Sequence, residues 1–197
     1  MTEPIAQAKH EWRLEIRRRL RARNPANRQT DSAQIHQRLV ALPEWGGATT
    51  VLLFHPLPSE PDTLPLLQRA LAEGRTVALP AMDPETGHYL PRQLASATTQ
   101  LVAGPLGILE PPASAPALPW NQLDFLLIPG LGFSPDGRRL GRGRGYYDRL
   151  LTRAHGFRCG AAFDEQIVVD LPIEPHDRRL DCILTPSRGW RCSAART

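Results

Sequence analysis

The chain has 197 residues, 41% of them apolar and 22% charged, with a formal net charge of +4. That length suits one domain with a substantial core and is short for two, and no apolar run approaches a membrane span. The N-terminus lacks the apolar core of a secretory leader, so a cytoplasmic protein is expected. Cys159, Cys182 and Cys192 form no CxxC pair, and nothing in their spacing points to a disulfide framework or a zinc knuckle. The basic excess is uneven: Arg13, Arg17, Arg18, Arg19, Arg21, Arg23 and Arg28 crowd one short stretch. Such a face suits nucleic acid or an anionic small ligand equally, and charge alone does not choose.

Ile5, Ala8, Trp12, Ile16 and Leu20 recur every three or four residues and predict a first helix with one apolar stripe. Lys9 and Arg13 lie beside that stripe on one side. By position they read as a solvated helix edge, or as a pair reaching past the packed face toward a phosphate. Asn24-Pro25 ends the helix, and Ile35, Leu39 and Leu42 mark a second one closed by Pro43. Residues 49–54 are apolar and β-branched, the pattern of a buried strand. Its carboxyl end opens into His55-Pro56-Leu57-Pro58-Ser59-Glu60, and in open α/β sheets ligands sit beyond such ends. Glu60 also reads as an acid at the start of the helix marked by Leu64, Leu67 and Leu71. Residues 75–80 predict a second strand, giving a strand–helix–strand unit and hence a parallel sheet. Residues 82–101 read as hairpin and loop covering a pocket edge, and 105–119 as a proline-rich segment within the same domain.

The organising stretch follows. Phe125-Leu126-Leu127-Ile128 predicts a fully buried strand, ended by Pro129-Gly130. A loop then sets Arg138, Arg139, Arg142 and Arg144 among Gly137, Gly141, Gly143 and Gly145, and Tyr146, Tyr147, Leu150, Leu151 and Ala154 carry it into a helix. Strand, glycine-rich loop and helix in that order make a phosphate cradle: glycines let backbone N–H groups approach an anion, the helix terminus adds partial positive charge, and arginines add forked donors. A merely structural turn, or an RNA-binding GRGRG element, is the competing reading. Further short strands are expected at 157–163 and 182–185, with a mobile tail after about residue 186.

The run PGLGF…GRRLGRGRGYYDR closely resembles the signature of the 5-formyltetrahydrofolate cyclo-ligase family, the 5,10-methenyltetrahydrofolate synthetases. Other segments are similar to the family in the same order: the basic pair Lys9 and Arg13, Glu60, GILEPP at 107–112, and the proline–acid–x–Asp loop ending at Asp177. The resemblance implies one α/β domain over 1–197 with a mainly parallel sheet flanked by helices, like the sugar-isomerase and CoA-transferase group. It implies ATP as co-substrate, held by Lys9, Arg13, Arg139, Leu140, Gly141, Arg142, Gly143, Arg144, Gly145, Tyr146 and Tyr147. Arg142 and Arg144 would act in catalysis by stabilising charge. Folate would be held by His55, Glu60, Arg142, Gly143, Arg144, Gly145 and Tyr146, and Mg²⁺ by Asp148 and Asp177. Taken singly, each of those two aspartates reads as a helix-start or turn acid. The tyrosines read as ring-stacking groups or as helix packing. The implied partners are 5-formyltetrahydrofolate, with or without a polyglutamate tail, and ATP; the implied state is a monomer using neither nucleic acid nor membrane. A nucleic-acid-binding protein and an ATP-dependent ligase or kinase on another small anion are the alternatives.

Overall fold

The computed structural model describes residues 3–105, 107–174 and 177–192. Pro175 and His176 of the loop ending at Asp177 lie outside the described residues. Helix α1 (Glu3–Ala22) is the one its stripe predicts. Ile16 is fully buried, with Trp12 and Leu20 beside it, against Leu131, Leu140, Val168 and Leu171. A 3-10 turn (Pro25–Asn27), in which Asn24 Oδ1 accepts the Ala26 N–H at 3.1 Å, leads into α2 (Arg28–Val40). Pro43, expected to close α2, instead opens a short helix, α3 (Pro43–Gly46), because its fixed φ and missing N–H suit a first helical position. Trp45 on α3 packs edge-on to Phe125, ring centroids 5.3 Å apart.

Strands β1 (Thr50–Leu52) and β2 (Thr76–Met82), joined through α4 (Leu64–Ala72), are parallel as expected, with Val51 opposite Val77. The buried face of α4 carries Leu66, Leu67 and Ala70, whereas Leu64 is exposed. Thr63, whose hydroxyl donates to Phe54 O at 2.6 Å, pins the start of the helix to the end of β1 and sets this rotation. Strand β3 (Tyr89–Gln93) returns antiparallel to β2. A hairpin of two-residue strands, β4 (Val102–Ala103) with β5 (Leu109–Glu110), has its second strand within the segment expected only as proline-rich, 105–119. Strand β6 (Phe125–Ile128) is wholly buried. Part of the expected glycine-rich loop is a second small hairpin, β7 (Gly132–Phe133) with β8 (Arg139–Leu140). Helix α5 (Tyr146–Arg153), then β9 (Phe157–Ala161), β10 (Cys182–Leu184) and β11 (Gly189–Arg191) follow among the described residues.

Strand β11 corrects the expectation of a mobile tail from residue 186. It pairs antiparallel with β10, and Arg191 grips Glu44 with two hydrogen bonds of 2.5 and 2.9 Å.

The seven-stranded sheet has the order β11-β10-β9-β6-β1-β2-β3, parallel throughout except at its two antiparallel edges. Side chains alternate between two cores: Val51, Val77 and Phe125 face α2, α3 and α4, while Leu52, Ala78 and Leu126 face Leu150 and Leu151 of α5. Such two-sided burial is why the central strands read as unbroken apolar runs. The chain leaves β1 toward β2 on one side but leaves β6 toward β9 and β10 on the other. Between β1 and β6 the order therefore reverses, and a crevice opens beyond their carboxyl ends. Among the described residues no helix is long and apolar enough to cross a membrane.

Candidate active site

Phe54 and His55 leave the end of β1, and Pro129 and Gly130 leave the end of β6; all four line one cleft. Its space, open solvent included, is about 890 Å³, within the size of ligand sites in general. On one side lies the glycine–arginine loop. Gly143 at φ +106° and Gly145 at φ +64° hold the left-handed geometry that brings the loop into α5. Gly145 is the N-cap of α5 and supplies no side-chain cap, so the helix's first N–H groups remain for a ligand or water.

Arginines organise the loop in three different ways. Arg139, nearly buried on β8, forms an ion pair with Asp148 on the first turn of α5 and lies 5.7 Å from the Tyr147 ring centre. Arg142 reaches across the cleft: its Nη2 donates to Glu60 Oε1 at 2.9 Å and to Ser59 Oγ at 3.0 Å, and its Nε to the same Glu60 oxygen at 3.2 Å. The other Glu60 oxygen accepts the Leu57 N–H at 3.0 Å, so both oxygens of this buried carboxylate are engaged. Arg144 lines the cleft and is exposed. Glu60 is thus a cleft residue and not a helix-start acid.

Helix α1 supplies the flank of the loop. Arg13 Nε donates to Gly141 O at 3.1 Å, and its guanidinium lies against Gly143. Burial and the neighbouring Arg17 lower the affinity of Arg13 for its proton, while Asp148, Asp177 and Glu174 oppose that shift. The three carboxylates therefore bear on one guanidinium. Lys9 Nζ is buried between Glu174 (2.8 Å) and Asp177 (2.6 Å). Burial pulls its ammonium down, yet hydrogen bonds to those two carboxylates outweigh it and leave the pKa raised. Asp148 and Asp177 are each paired with a cation of the chain itself, Arg139 and Lys9.

The expected residues fall into two groups. His55 and Glu60 line the cleft from the β1 side; Arg139, Gly141, Arg142, Arg144 and Gly145 from the loop; Tyr146, Tyr147 and Asp148 from α5. Lys9, Arg13 and Asp177 lie beside it as an adjoining charged cluster, and Gly143 touches that cluster through Arg13. Leu140 is placed differently. Its side chain packs under α1 with Ile16, and its carbonyl accepts the Leu131 N–H at 2.8 Å, so it supports the loop from beneath. Burial lowers the His55 pKa, which makes it a neutral donor–acceptor at neutral pH.

The opposite wall was foreseen only as residues 82–101 covering a pocket edge, without the side chains that form it. Tyr89 from β3 stands edge-on to Tyr146, centroids 4.8 Å apart, and Leu109 and Glu110 of β5 line the cleft beside it. Burial, with Glu110 and Tyr146 nearby, pushes the Tyr89 phenol up to about 12, so it stays a donor. The GILEPP resemblance already contained Glu110; no hydrophobic period flagged the two-residue strand that carries it.

A parallel sheet with an arginine-bearing loop and an aromatic-lined cleft at its reversal point has the architecture of an α/β enzyme, the loop suited to an anion and the cleft to a flat ring. Residues 5–186 match the model of the 5-formyltetrahydrofolate cyclo-ligase family, and the chain belongs to that family. It is 35% identical over 179 residues to the 5-formyltetrahydrofolate cyclo-ligase of Escherichia coli (strain K12), covering 89% of this chain and 98% of that one. The Mus musculus 5-formyltetrahydrofolate cyclo-ligase is 28% identical over 191 residues, covering 91% and 94%. The solution structure of Aquifex aeolicus 5,10-methenyltetrahydrofolate synthetase superposes with a TM-score of 0.84 at 30% identity, covering 96% of this chain and 95% of that one.

Proposed function

We propose that this chain converts 5-formyltetrahydrofolate and ATP into 5,10-methenyltetrahydrofolate, ADP and phosphate, as a ligase of one-carbon folate metabolism. The observation that carries the proposal is the Arg142–Glu60 clamp, which joins the phosphate-type loop to the ring-binding cleft. The formyl oxygen attacks the γ-phosphorus and ADP leaves; N10 then attacks the activated carbon and phosphate leaves. The first step is a phosphoryl transfer, so positioning and charge stabilisation do most of the work. Arg144 and the N–H groups around Gly145 would hold phosphate oxygens, with Lys9 and Arg13 closing the nucleotide side. Arg142 would face the transferring group from the folate side, where it is already aligned by Glu60. Tyr146 would contact the folate and Tyr147 the nucleotide.

Asp148 and Asp177 would hold Mg²⁺. Their hard carboxylate oxygens suit it, and each now needs a counter-charge that the chain supplies from Arg139 or Lys9. Bound there, the ion would neutralise charge on the phosphates. Against a nucleic-acid role, Arg18, Arg19 and Arg23 are paired with carboxylates of their own chain, Glu15 and Asp31. We further propose a cytoplasmic monomer of one domain that accepts polyglutamylated substrate, with a fold akin to the sugar-isomerase and CoA-transferase group. Its parallel centre between antiparallel edges supports that kinship.

The test is optical. Methenyltetrahydrofolate absorbs in the near ultraviolet where 5-formyltetrahydrofolate does not. Purified protein with 5-formyltetrahydrofolate and Mg²⁺ should develop that band only when ATP is added. A flat trace with ATP bound would replace this substrate by another small anion, and absence of ATP binding would restore the nucleic-acid reading.

A further inference from the structure

Two carboxylates enter the cleft away from the glycine–arginine loop, and they differ in one respect. Glu60 has both oxygens engaged, one by Arg142 and one by the Leu57 N–H. Glu110 is almost as deeply buried, at 7% exposure, and its partners are weaker. Burial raises its pKa, opposed only by the Met82 N–H and the charge of Arg92. A buried carboxylate in that state is costly unless something completes its hydrogen bonds. Its position is also fixed. Gly104, across the β4–β5 hairpin, approaches so closely that a Cβ there would lie 2.4 Å from Glu110 Oε2. The carboxyl group is thus backed by Gly104 of the hairpin, and Glu110 lines the cleft together with Tyr89 and Leu109.

The ligand chemistry that fits is a flat heterocycle with two adjacent N–H donors on one edge. We infer that Glu110 orients the substrate by taking the N3–H and 2-amino group of the reduced pterin on its two carboxylate oxygens. Paired donors on a carboxylate form a charge-assisted, bidentate contact that fixes a ring in its plane. The apolar faces of the pterin then lie against Tyr89, Leu109 and Tyr146. With that edge held at Glu110, the opposite side of the ring, which carries N5, is turned toward the arginine loop. Glu110 is a substrate-orienting and specificity-determining residue in this arrangement; the chemistry stays with the loop. The inference rests on the folate reading above.

The test compares 5-formyltetrahydrofolate with its 2-desamino analogue by calorimetry, on the wild-type protein, Glu110→Gln and Glu110→Ala. Wild type should prefer the 2-amino compound by about tenfold or more, the scale of a hydrogen bond to a charged group. Both variants should weaken 5-formyltetrahydrofolate by a similar factor and bind the two compounds equally, with ATP affinity and cooperative melting retained. Glu110→Gln keeps the shape of the side chain and guards against a misfolded Ala variant. Folded variants that still prefer the 2-amino compound overturn the inference. Wild-type binding of 5-formyltetrahydrofolate without that preference overturns it too, while leaving the proposed function standing. No binding of either compound by wild type removes both.

Discussion

Arg142 and Arg144 stand two positions apart on one loop, yet their surroundings assign them different duties. Arg144 is exposed and lines the cleft, so Arg144→Ala should raise the KM for ATP about tenfold or more and leave the melting temperature nearly unchanged. Arg142→Ala should instead raise the KM for folate and cost about 1–3 kcal/mol of stability, because buried Glu60 loses its charged partner. Steady-state titrations of each substrate, with melts in parallel, separate the two; identical profiles would argue against the clamp. Glu110 offers a pH test with the sign fixed by linkage. A carboxyl whose pKa is raised in the folded state opposes folding as pH rises from the unfolded value, and does so fully above the folded one. Glu110→Gln should therefore melt higher than wild type at pH 8, with the gap closing as pH falls below about 4.3, the ordinary glutamate value. A gap that widens in acid would contradict the assignment. Helical spacing put Lys9 and Arg13 on one side of α1 but suited a solvated edge as well as a ligand pair, and it was the resemblance that singled them out; the glycine–arginine loop was legible from its composition. Tyr89 and Glu110 were not, because their nearness to the loop arises from sheet order, which no local pattern encodes.

At the scale of elements, apolar buried strands, even the three-residue β1, and amphipathic helices announced themselves, and short strands of mixed polarity did not. Strands β1, β2 and β6 are buried on both faces, and burial writes itself into sequence as apolar runs. By contrast β4, β5, β7, β8 and β11 are too short to show a period of two, and β8 carries an arginine that pairs with a helix instead of facing water. Strand β11 is the sharpest case: polar, near the C-terminal end of the described residues, and yet it closes one edge of the main sheet. A chain stopped after residue 187 would lose β11 and the Arg191 grip on Glu44. It would also bare the outer edge of β10, a template for strand addition. Such a chain should melt about 5 °C lower and scatter light at concentrations where the full chain does not. Equal melting and clear solutions would mean that β11 contributes nothing.

For the molecule as a whole, α1 is the piece that joins distant parts. Lys9→Ala would leave Glu174 and Asp177 without their ammonium partner and should cost about 3–5 kcal/mol, the usual penalty for splitting a buried pair. Millimolar Mg²⁺ should restore part of that loss if Asp177 holds the ion; melts of the variant with and without the ion decide, and an ion-independent deficit would place the metal elsewhere. The same contacts set a timetable for synthesis. Lys9 must wait for carboxylates 165 and 168 positions later, and Arg13 for a carbonyl 128 positions later. At a ribosomal pace of about 5–20 residues per second, the wait for Glu174 and Asp177 is roughly 10–30 s. The β7–β8 hairpin that covers the stripe of α1 is made before those carboxylates, so Ile16 and Arg13 have their partners while Lys9 still waits. A nascent chain halted just before residue 174 is accordingly one in which Arg13 has its carbonyl but Lys9 still lacks its two carboxylates. The arrival of Glu174 and Asp177 is then the last step in assembling this flank of the site.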